Sequence, residues 1–172
     1  MTLERRIAAA FAMDEAAWAR HANPWSGWTR LTALPALALA GWSRAWIGWW
    51  ALLPLALALA WTWLNPRIFP PPRRWDAWIT RGVLGERLWL ARDRVPVPAH
   101  HRRVPNLLTA LSAAGLAGVA WGVAALEPWP LLSGMAVAVL AKLWFVDRMV
   151  WLHRDMRGTM EGTCPGDPPP VT

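Results

Sequence analysis

The apolar residues of this chain lie in long blocks and do not alternate with polar residues. A transmembrane helix needs about 20 mostly apolar residues, because the hydrocarbon core of a bilayer is about 30 Å thick. Four stretches meet this requirement, at residues 24–43, 45–64, 106–126 and 129–152. None of them shows the alternation of a membrane β-strand. The pattern therefore predicts an all-α polytopic membrane protein with a four-transmembrane-helix bundle at residues 24–156.

The first stretch is the least regular of the four. Arg30 and Pro35 interrupt it, and its continuous apolar part, Leu31–Ala40, is too short to cross a bilayer alone. It spans if Pro24–Arg30 is included and the Arg30 side chain reaches back to the headgroups. The alternative is a re-entrant segment, which leaves three spanning helices. Pro35 and Pro54 are expected near mid-bilayer, where each would kink its helix.

Charge gives the expected orientation. The 172 residues are 55% hydrophobic, include 16 Trp, and carry 18 Lys+Arg against 11 Asp+Glu. One connection joins the first span to the second, and another joins the third to the fourth. Arg44 is the only basic residue in these two connections. The positive-inside rule then puts both termini and the middle loop in the cytoplasm, with the spans in the inner (cytoplasmic) membrane. Because this orientation explains the basic excess, we expect membrane lipids as partners and no nucleic acid.

Three segments are predicted outside the spans. Residues 1–23 have apolar residues at helical spacing and are predicted to form an N-terminal interfacial amphipathic helix. Residues 70–95 are predicted to form a cytoplasmic interfacial segment, with a Trp-rich helix at about 75–92. Residues 157–172 are rich in Pro and Gly, which is typical of a disordered tail. Their cysteine, Cys164, is the only one in the sequence, so an internal disulfide is excluded.

Small residues mark a packing face on the third span. Gly115, Gly118 and Gly122 lie near one helical face, and small residues four apart permit close backbone approach. We expect this face to pack against Gly134 and Ala138 of the fourth span. The same face could join two chains, so a homo-oligomer stays open.

The densest polar cluster lies in the fourth span and contains Lys142, Asp147 and Arg148. An ionisable residue within a span costs about 2.5–3.5 kcal/mol on insertion scales, so each should face a partner or water. Arg30 is the expected partner of Asp147. A structural ion pair is the favoured interpretation. The alternative is a membrane enzyme or proton-coupled transporter that uses Asp147, Glu86 and Lys142.

Histidines raise a second alternative. His21 precedes the first span and His153 ends the fourth, so both are expected at the cytoplasmic surface, where they could ligate a haem or a metal ion. Because no span contains a paired-histidine motif, interfacial histidines are favoured and no cofactor is expected. The chain has no GxSxG motif and no glycine-rich phosphate loop. The residues therefore favour a protein without catalytic activity, but an enzyme stays an open alternative.

Four sequence blocks carry a resemblance. They read HxNPWSxWTR from residue 21, NPRxFP from residue 65, GERLW from residue 85 and KLWFxDRMVWL from residue 142. With these blocks the chain resembles a family of small bacterial and haloarchaeal integral membrane proteins of unknown function, over roughly residues 18–156. The resemblance implies a membrane location and a shared cytoplasmic surface, but no reaction.

On the predicted topology, all four blocks lie on the cytoplasmic side. We expect them to form a net positive, Trp-lined face that binds a lipid-like or anionic amphiphile, or a partner membrane protein. The candidate ligand-binding residues are Trp25, Arg30, Asn65, Arg67, Glu86, Arg87, Lys142, Asp147 and Arg148.

Overall fold

Every regular element that the structure describes is helical. The computed structural model describes residues 15–161, with side chains for residues 16–158. Its α-helices are α1 (Glu15–His21), α2 (Pro24–Arg30), α3 (Ala33–Trp42), α4 (Arg44–Ile47), α5 (Leu52–Ile68), α6 (Trp78–Leu90), α7 (Arg103–Ala125) and α8 (Pro128–Glu161). Short 3₁₀ turns lie at Gly48–Ala51 and Ala99–His101. The all-α prediction is confirmed for this part of the chain.

Within the described residues, three stretches are long and apolar enough to cross a membrane: Pro24–Ile68, Ala99–Ala125 and Pro128–Gly158. These helices fit a membrane protein, but they do not establish the predicted number of four spans. Of the predicted N-terminal helix at residues 1–23, residues 15–21 form α1. Residues 1–14 lie outside the described part of the chain.

The stretch Pro24–Ile68 reverses direction. Helix α3 packs along α5, and the Ser26 hydroxyl donates a hydrogen bond to Asn65 Oδ1 over 3.1 Å, so the two ends of the stretch meet. The reversal includes Gly48, whose φ of 56° and ψ of −131° are rarely adopted by a residue with a Cβ atom. The predicted span at 45–64 is therefore displaced, because residues 44–51 form the turn and α5 begins at Leu52.

Pro35 and Pro54 do not kink their helices in mid-span. Each is the third residue of its helix, α3 or α5. A backbone N–H in the first turn has no intrahelical acceptor, so proline removes no hydrogen bond there. The expectation of mid-bilayer kinks is wrong, because the chain breaks at Leu31–Thr32 and turns at Gly48.

Helices α7 and α8 form a closely packed antiparallel pair. A Cβ atom added at Gly115 would lie 2.6 Å from the Ala138 nitrogen, and one added at Gly134 would lie 2.6 Å from the Gly115 carbonyl oxygen. The predicted packing of the glycine face against Gly134 and Ala138 is confirmed. Because this face is covered within the chain, it is not free to join two chains.

Helix α8 is longer than the predicted span at 129–152. It continues to Glu161, so residues 157–161 are helical and the predicted disordered tail at 157–172 does not begin at residue 157. Residues 162–172, including Cys164, lie outside the described part of the chain.

Helix α6 packs against the second half of α8. Gly82 contacts the Val146 side chain and Gly85 contacts the Met149 backbone, so the two helices approach closely. Trp89, which is 1% exposed, joins a core with Phe145 and Met149. The predicted helix at about 75–92 therefore exists, but Trp89 faces protein and not the membrane surface, because two glycines allow α6 to dock.

Large apolar side chains cover the outside of the hairpin and of the α7–α8 pair. Leu57 is 64% exposed and Leu140 is 66% exposed, whereas Ala58 and Ala138 on the same helices are buried. In lipid, association between helices comes from close packing of small residues, and large apolar residues face the hydrocarbon. This distribution fits a membrane protein.

Candidate functional site

The four sequence blocks meet in space. Ser26 and Thr29 of the first block both bond to Asn65 of the second: Ser26 Oγ donates to Asn65 Oδ1, and Asn65 Nδ2 donates to Thr29 Oγ1 over 2.8 Å. Asn23 Nδ2 donates to the Pro70 carbonyl oxygen over 2.9 Å. The Asn23 side chain also accepts from the Trp25 amide and so caps the start of α2.

The third block is joined to the fourth by an ion pair. Lys142 Nζ lies 2.8 Å from Glu86 Oε1. On the other side, Arg30 Nη1 lies 2.6 Å from His21 Nε2, and Arg30 Nη2 lies 3.4 Å from the His21 carbonyl oxygen. The positive charge of Arg30 acts on Glu86, and Glu86 in turn acts on His21. We call His21, Arg30, Glu86 and Lys142 the internal cluster.

Protonation within the internal cluster follows from its geometry. Burial, together with the positive charges of Arg30 and Lys142, lowers the pKa of His21 from 6.5 to about 3, so the imidazole is neutral at neutral pH. Its Nε2 then accepts from Arg30 and its Nδ1 carries the proton. Nδ1 is buried and has no hydrogen-bond partner among the described residues. The internal cluster therefore holds a neutral histidine against the Arg30 cation.

Glu86 keeps its charge. Burial opposes ionisation, but the hydrogen bond and ion pair with Lys142, together with the positive charge of Arg30, hold the pKa of the Glu86 carboxyl below its ordinary value of 4.5. Its side chain is 21% exposed and that of Lys142 is 41% exposed. The pair is thus shielded in part from water and links α6 to α8.

The expected pair between Arg30 and Asp147 is wrong. Asp147 instead accepts a hydrogen bond from Trp78 Nε1 over 3.3 Å and lies 3.6 Å from Arg148 Nη2. Asp147 and Arg30 have different partners because α6 docks on α8 and brings Trp78 to Asp147. Arg30 instead bonds to His21 of α1.

The other predicted residues do not share one pocket. Trp25 is 70% exposed and lines a cavity of about 540 Å³ with Arg73, Arg74 and Asp76. Arg67 stacks on the Trp63 ring at 3.9 Å and bonds to the Trp63 carbonyl oxygen. The predicted Arg/Trp face is therefore divided into an internal cluster, a surface cavity and separate surface cations.

A groove between α6 and α8 combines apolar and basic residues. It has a volume of about 330 Å³, and we call it the α6–α8 groove. Its lining residues are Leu84, Arg87, Leu88, Ala91, His153, Met156 and Arg157. No Asp or Glu is among these described lining residues.

Of the α6–α8 groove residues, Arg87 and His153 are among the sequence candidates, and the rest were missed. The signal was nevertheless present, because residues 84, 87, 88 and 91 have the spacing of one helical face, as do 153, 156 and 157. The sequence does not show that these two faces oppose each other.

The two histidines predicted as haem or metal ligands have different surroundings. His21 Nε2 is occupied by Arg30, and His21 also packs edge-on against Trp18 with ring centroids 5.5 Å apart. His153 lies in the α6–α8 groove. A haem iron needs an accessible, deprotonated ring nitrogen, whereas His21 Nε2 accepts from Arg30 and Nδ1 is buried and protonated, so His21 does not fit that role.

Comparisons with known proteins give a family and no activity. Residues 2–168 match the model of a family of unknown function. No curated protein matches the chain, and no solved structure matches it either.

Proposed function

Because the chain belongs to the family of unknown function DUF6653, we propose a function from the geometry of the structure. The protein is a non-catalytic integral membrane protein that binds an anionic amphiphile in the α6–α8 groove. The observation that carries this proposal is the pairing of Leu84, Leu88 and Met156 with two arginines in one groove. An acyl chain can pack on the apolar side chains. A phosphate or carboxylate headgroup can accept charge-assisted hydrogen bonds from arginine.

The position of Glu86 supports the same proposal. Glu86 precedes Arg87 in sequence, but its carboxylate pairs with Lys142 and it does not line the α6–α8 groove. The carboxylate is therefore directed away from a bound anion. The carboxylate of Glu86 stabilises the contact of α6 with α8, while Arg87 and Arg157 line the α6–α8 groove.

Our proposal includes four membrane crossings, with both termini and α6 in the cytoplasm at the inner membrane. The ends of the Pro24–Ile68 hairpin meet at Ser26 and Asn65, as two adjacent crossings require. Its turn lies at the other end of the bundle, where Arg44 Nη2 bonds to the Val123 and Ala124 carbonyl oxygens over 2.7 and 2.6 Å. Arg44 thus caps the C-terminus of α7. This contact gives a structural reason for the one basic residue in the two connections that lie opposite the cytoplasm.

The test is lipid retention by the intact chain in native mass spectrometry from a mild detergent. We expect phosphatidylglycerol to be retained in preference to phosphatidylcholine of the same chain length. Since a basic residue near anionic lipid contributes about 1 kcal/mol, Arg157→Gln should weaken phosphatidylglycerol retention about fivefold. Ala91→Trp, which fills the α6–α8 groove, should reduce retention of both lipids.

The matched control is Arg94→Gln, which removes an exposed arginine just beyond α6 that does not line the α6–α8 groove. Retention by this variant should equal that of the wild type. Equal losses in Arg94→Gln and Arg157→Gln would mean general attraction of anionic lipid to basic charge. That result, or equal retention of the two lipids by the wild type, would refute the proposal.

The two alternative functions receive less support. A proton carrier needs a group that titrates near neutral pH, whereas Glu86 is held ionised by Lys142. Asp147 is bonded to Trp78 and is not part of the internal cluster. For the haem-binding alternative, His21 Nε2 is taken by Arg30, and Nδ1 is buried and carries the ring proton. A partner membrane protein would compete with lipid for the exposed leucines and tryptophans, but the basic residues of the α6–α8 groove favour an anionic ligand.

A further inference from the structure

Two histidines and one carboxylate converge at a place that the amphiphile proposal does not use. His100 and His101 form the 3₁₀ turn before α7, and Asp155 lies near the end of α8. His101 Nε2 is 2.7 Å from Asp155 Oδ2, and His100 Nε2 is 3.4 Å from the same oxygen. The three ligand atoms all lie within 4.8 Å of one another. The sequence did not reveal this cluster, because 54 residues separate His101 from Asp155.

We propose that His100, His101 and Asp155 bind a divalent transition-metal ion such as Zn²⁺. In zinc sites the Zn–N and Zn–O distances are about 2.0–2.2 Å, so ligand atoms of a tetrahedral site lie about 3.3 Å apart. The distances from Asp155 Oδ2 to the two histidine nitrogens, 2.7 and 3.4 Å, bracket this separation, and all three ligand atoms lie within 4.8 Å of one another. Small rotations of the side chains therefore suffice to place an ion between them.

The ligand types select the kind of ion. Imidazole nitrogen suits Zn²⁺, Ni²⁺ and Co²⁺, whereas Mg²⁺ and Ca²⁺ prefer several oxygen ligands. One carboxylate with two imidazoles leaves at least one coordination position for water. The site should thus bind Zn²⁺ and exclude Mg²⁺.

The local structure presents His101 in a fixed orientation. Its side chain is 8% exposed, and its backbone amide donates to the Pro98 carbonyl oxygen over 3.0 Å. The His100 side chain is 70% exposed, so it can move to complete the site. A bound ion would tie the start of α7 to the last turns of α8. Those turns also carry Met156 and Arg157 of the α6–α8 groove, but zinc binding does not depend on an amphiphile.

The experiment is a zinc titration of the full chain, purified without a polyhistidine tag and carrying Cys164→Ser to remove the thiol. Equilibrium dialysis with elemental analysis should give one Zn²⁺ per chain, and Mg²⁺ should not compete. His100→Ala and Asp155→Asn should each weaken zinc binding by at least about tenfold. Co²⁺ should show visible absorption in the parent and lose it in these variants.

His153→Gln is the matched control, because it removes a histidine close in sequence that is not part of the cluster. Its zinc affinity should equal that of the parent. His100→Ala is preferred to a change at His101, since an exposed side chain can be removed without disturbing packing. The site would be refuted if the parent does not bind zinc, or if the parent and His100→Ala bind it equally. Either result would show that hydrogen bonds alone hold the cluster together.

Discussion

At the residue scale, the internal cluster depends on one histidine that stays neutral between two cations. Arg30 approaches His21 Nε2 to 2.6 Å, and Lys142 adds a second positive charge nearby. A protonated imidazole would repel both cations. The arrangement that links α1 to α2 is therefore stable while His21 is uncharged.

This predicts a loss of stability in mild acid. The pKa of His21 is about 3 in the folded chain and 6.5 in the unfolded chain, so the unfolded state binds more protons between these values. The contribution of His21 is complete above pH 6.5 and is lost as the pH falls toward 3, with a slope of at most about 1.4 kcal/mol per pH unit. The apparent melting temperature in detergent, followed from about pH 7.5 to about pH 5, measures it.

The comparison variant is His21→Gln, whose amide oxygen can still accept from Arg30 but does not titrate. Its melting temperature should change less over the same pH range, so the two curves should converge as the pH falls. Glu86 does not confuse the comparison, because its pKa lies below 4.5 and its charge persists through the range. Parallel curves would contradict the role assigned to His21.

At the scale of elements, close helix contacts depend on where glycines face backbone. A Cβ atom at Gly134 would lie 2.6 Å from the Gly115 carbonyl oxygen and 2.7 Å from the Val119 nitrogen. A Cβ atom at Gly118 would lie 3.3 Å from the Gly134 Cα. Both glycines face backbone atoms, which cannot move aside as a flexible side chain can, so they differ in how closely those atoms approach.

Gly134→Ala should therefore destabilise the chain more than Gly118→Ala. Overpacking against backbone typically costs about 1–3 kcal/mol. At Gly118 the milder contact is offset by the better helix propensity of alanine, which is worth about 1 kcal/mol. Thermal unfolding of both variants in the same detergent measures the difference. A Gly118→Ala variant as unstable as Gly134→Ala would contradict the difference that these distances predict.

The glycine contacts also show how much the sequence could predict. Spacing along one helix identified the α7 face, and it correctly indicated Gly134 and Ala138 as the opposing residues. The predicted pairing of Arg30 with Asp147 was wrong. Gly82 and Gly85 allow α6 to dock on α8, and this docking decides which side chains reach Asp147. Pairs such as Lys142 and Glu86, or His101 and Asp155, depend on contacts between distant segments, which periodicity does not encode.

At the scale of the whole molecule, tryptophans are exposed at both ends of the bundle. Trp49, Trp121 and Trp129 are 66–87% exposed near the hairpin turn and the α7–α8 connection. Trp25 and Trp144 are 55–70% exposed near the internal cluster. Tryptophan is enriched at the two interfaces of a membrane, so these groups are expected to lie at headgroup level on opposite sides.

Four crossings predict which residues share a side of the membrane. In a Cys164→Ser background, single cysteines at Arg20, Trp49, Arg73 and Glu127 can be labelled with a membrane-impermeant maleimide. The hairpin lies between Arg20 and Arg73, so these two should react in inverted vesicles. Trp49 at the turn and Glu127 after α7 should react in intact cells.

Each alternative topology gives a different labelling pattern. If Pro24–Ile68 crossed once, Arg20→Cys and Arg73→Cys would react from opposite sides. If it were re-entrant, these two would share a side, but Trp49→Cys would not react in intact cells. The contact of Arg44 with Val123 and Ala124 places the turn beside the C-terminus of α7, so Trp49→Cys and Glu127→Cys should give the same result. A difference in sidedness between them would contradict the hairpin crossing.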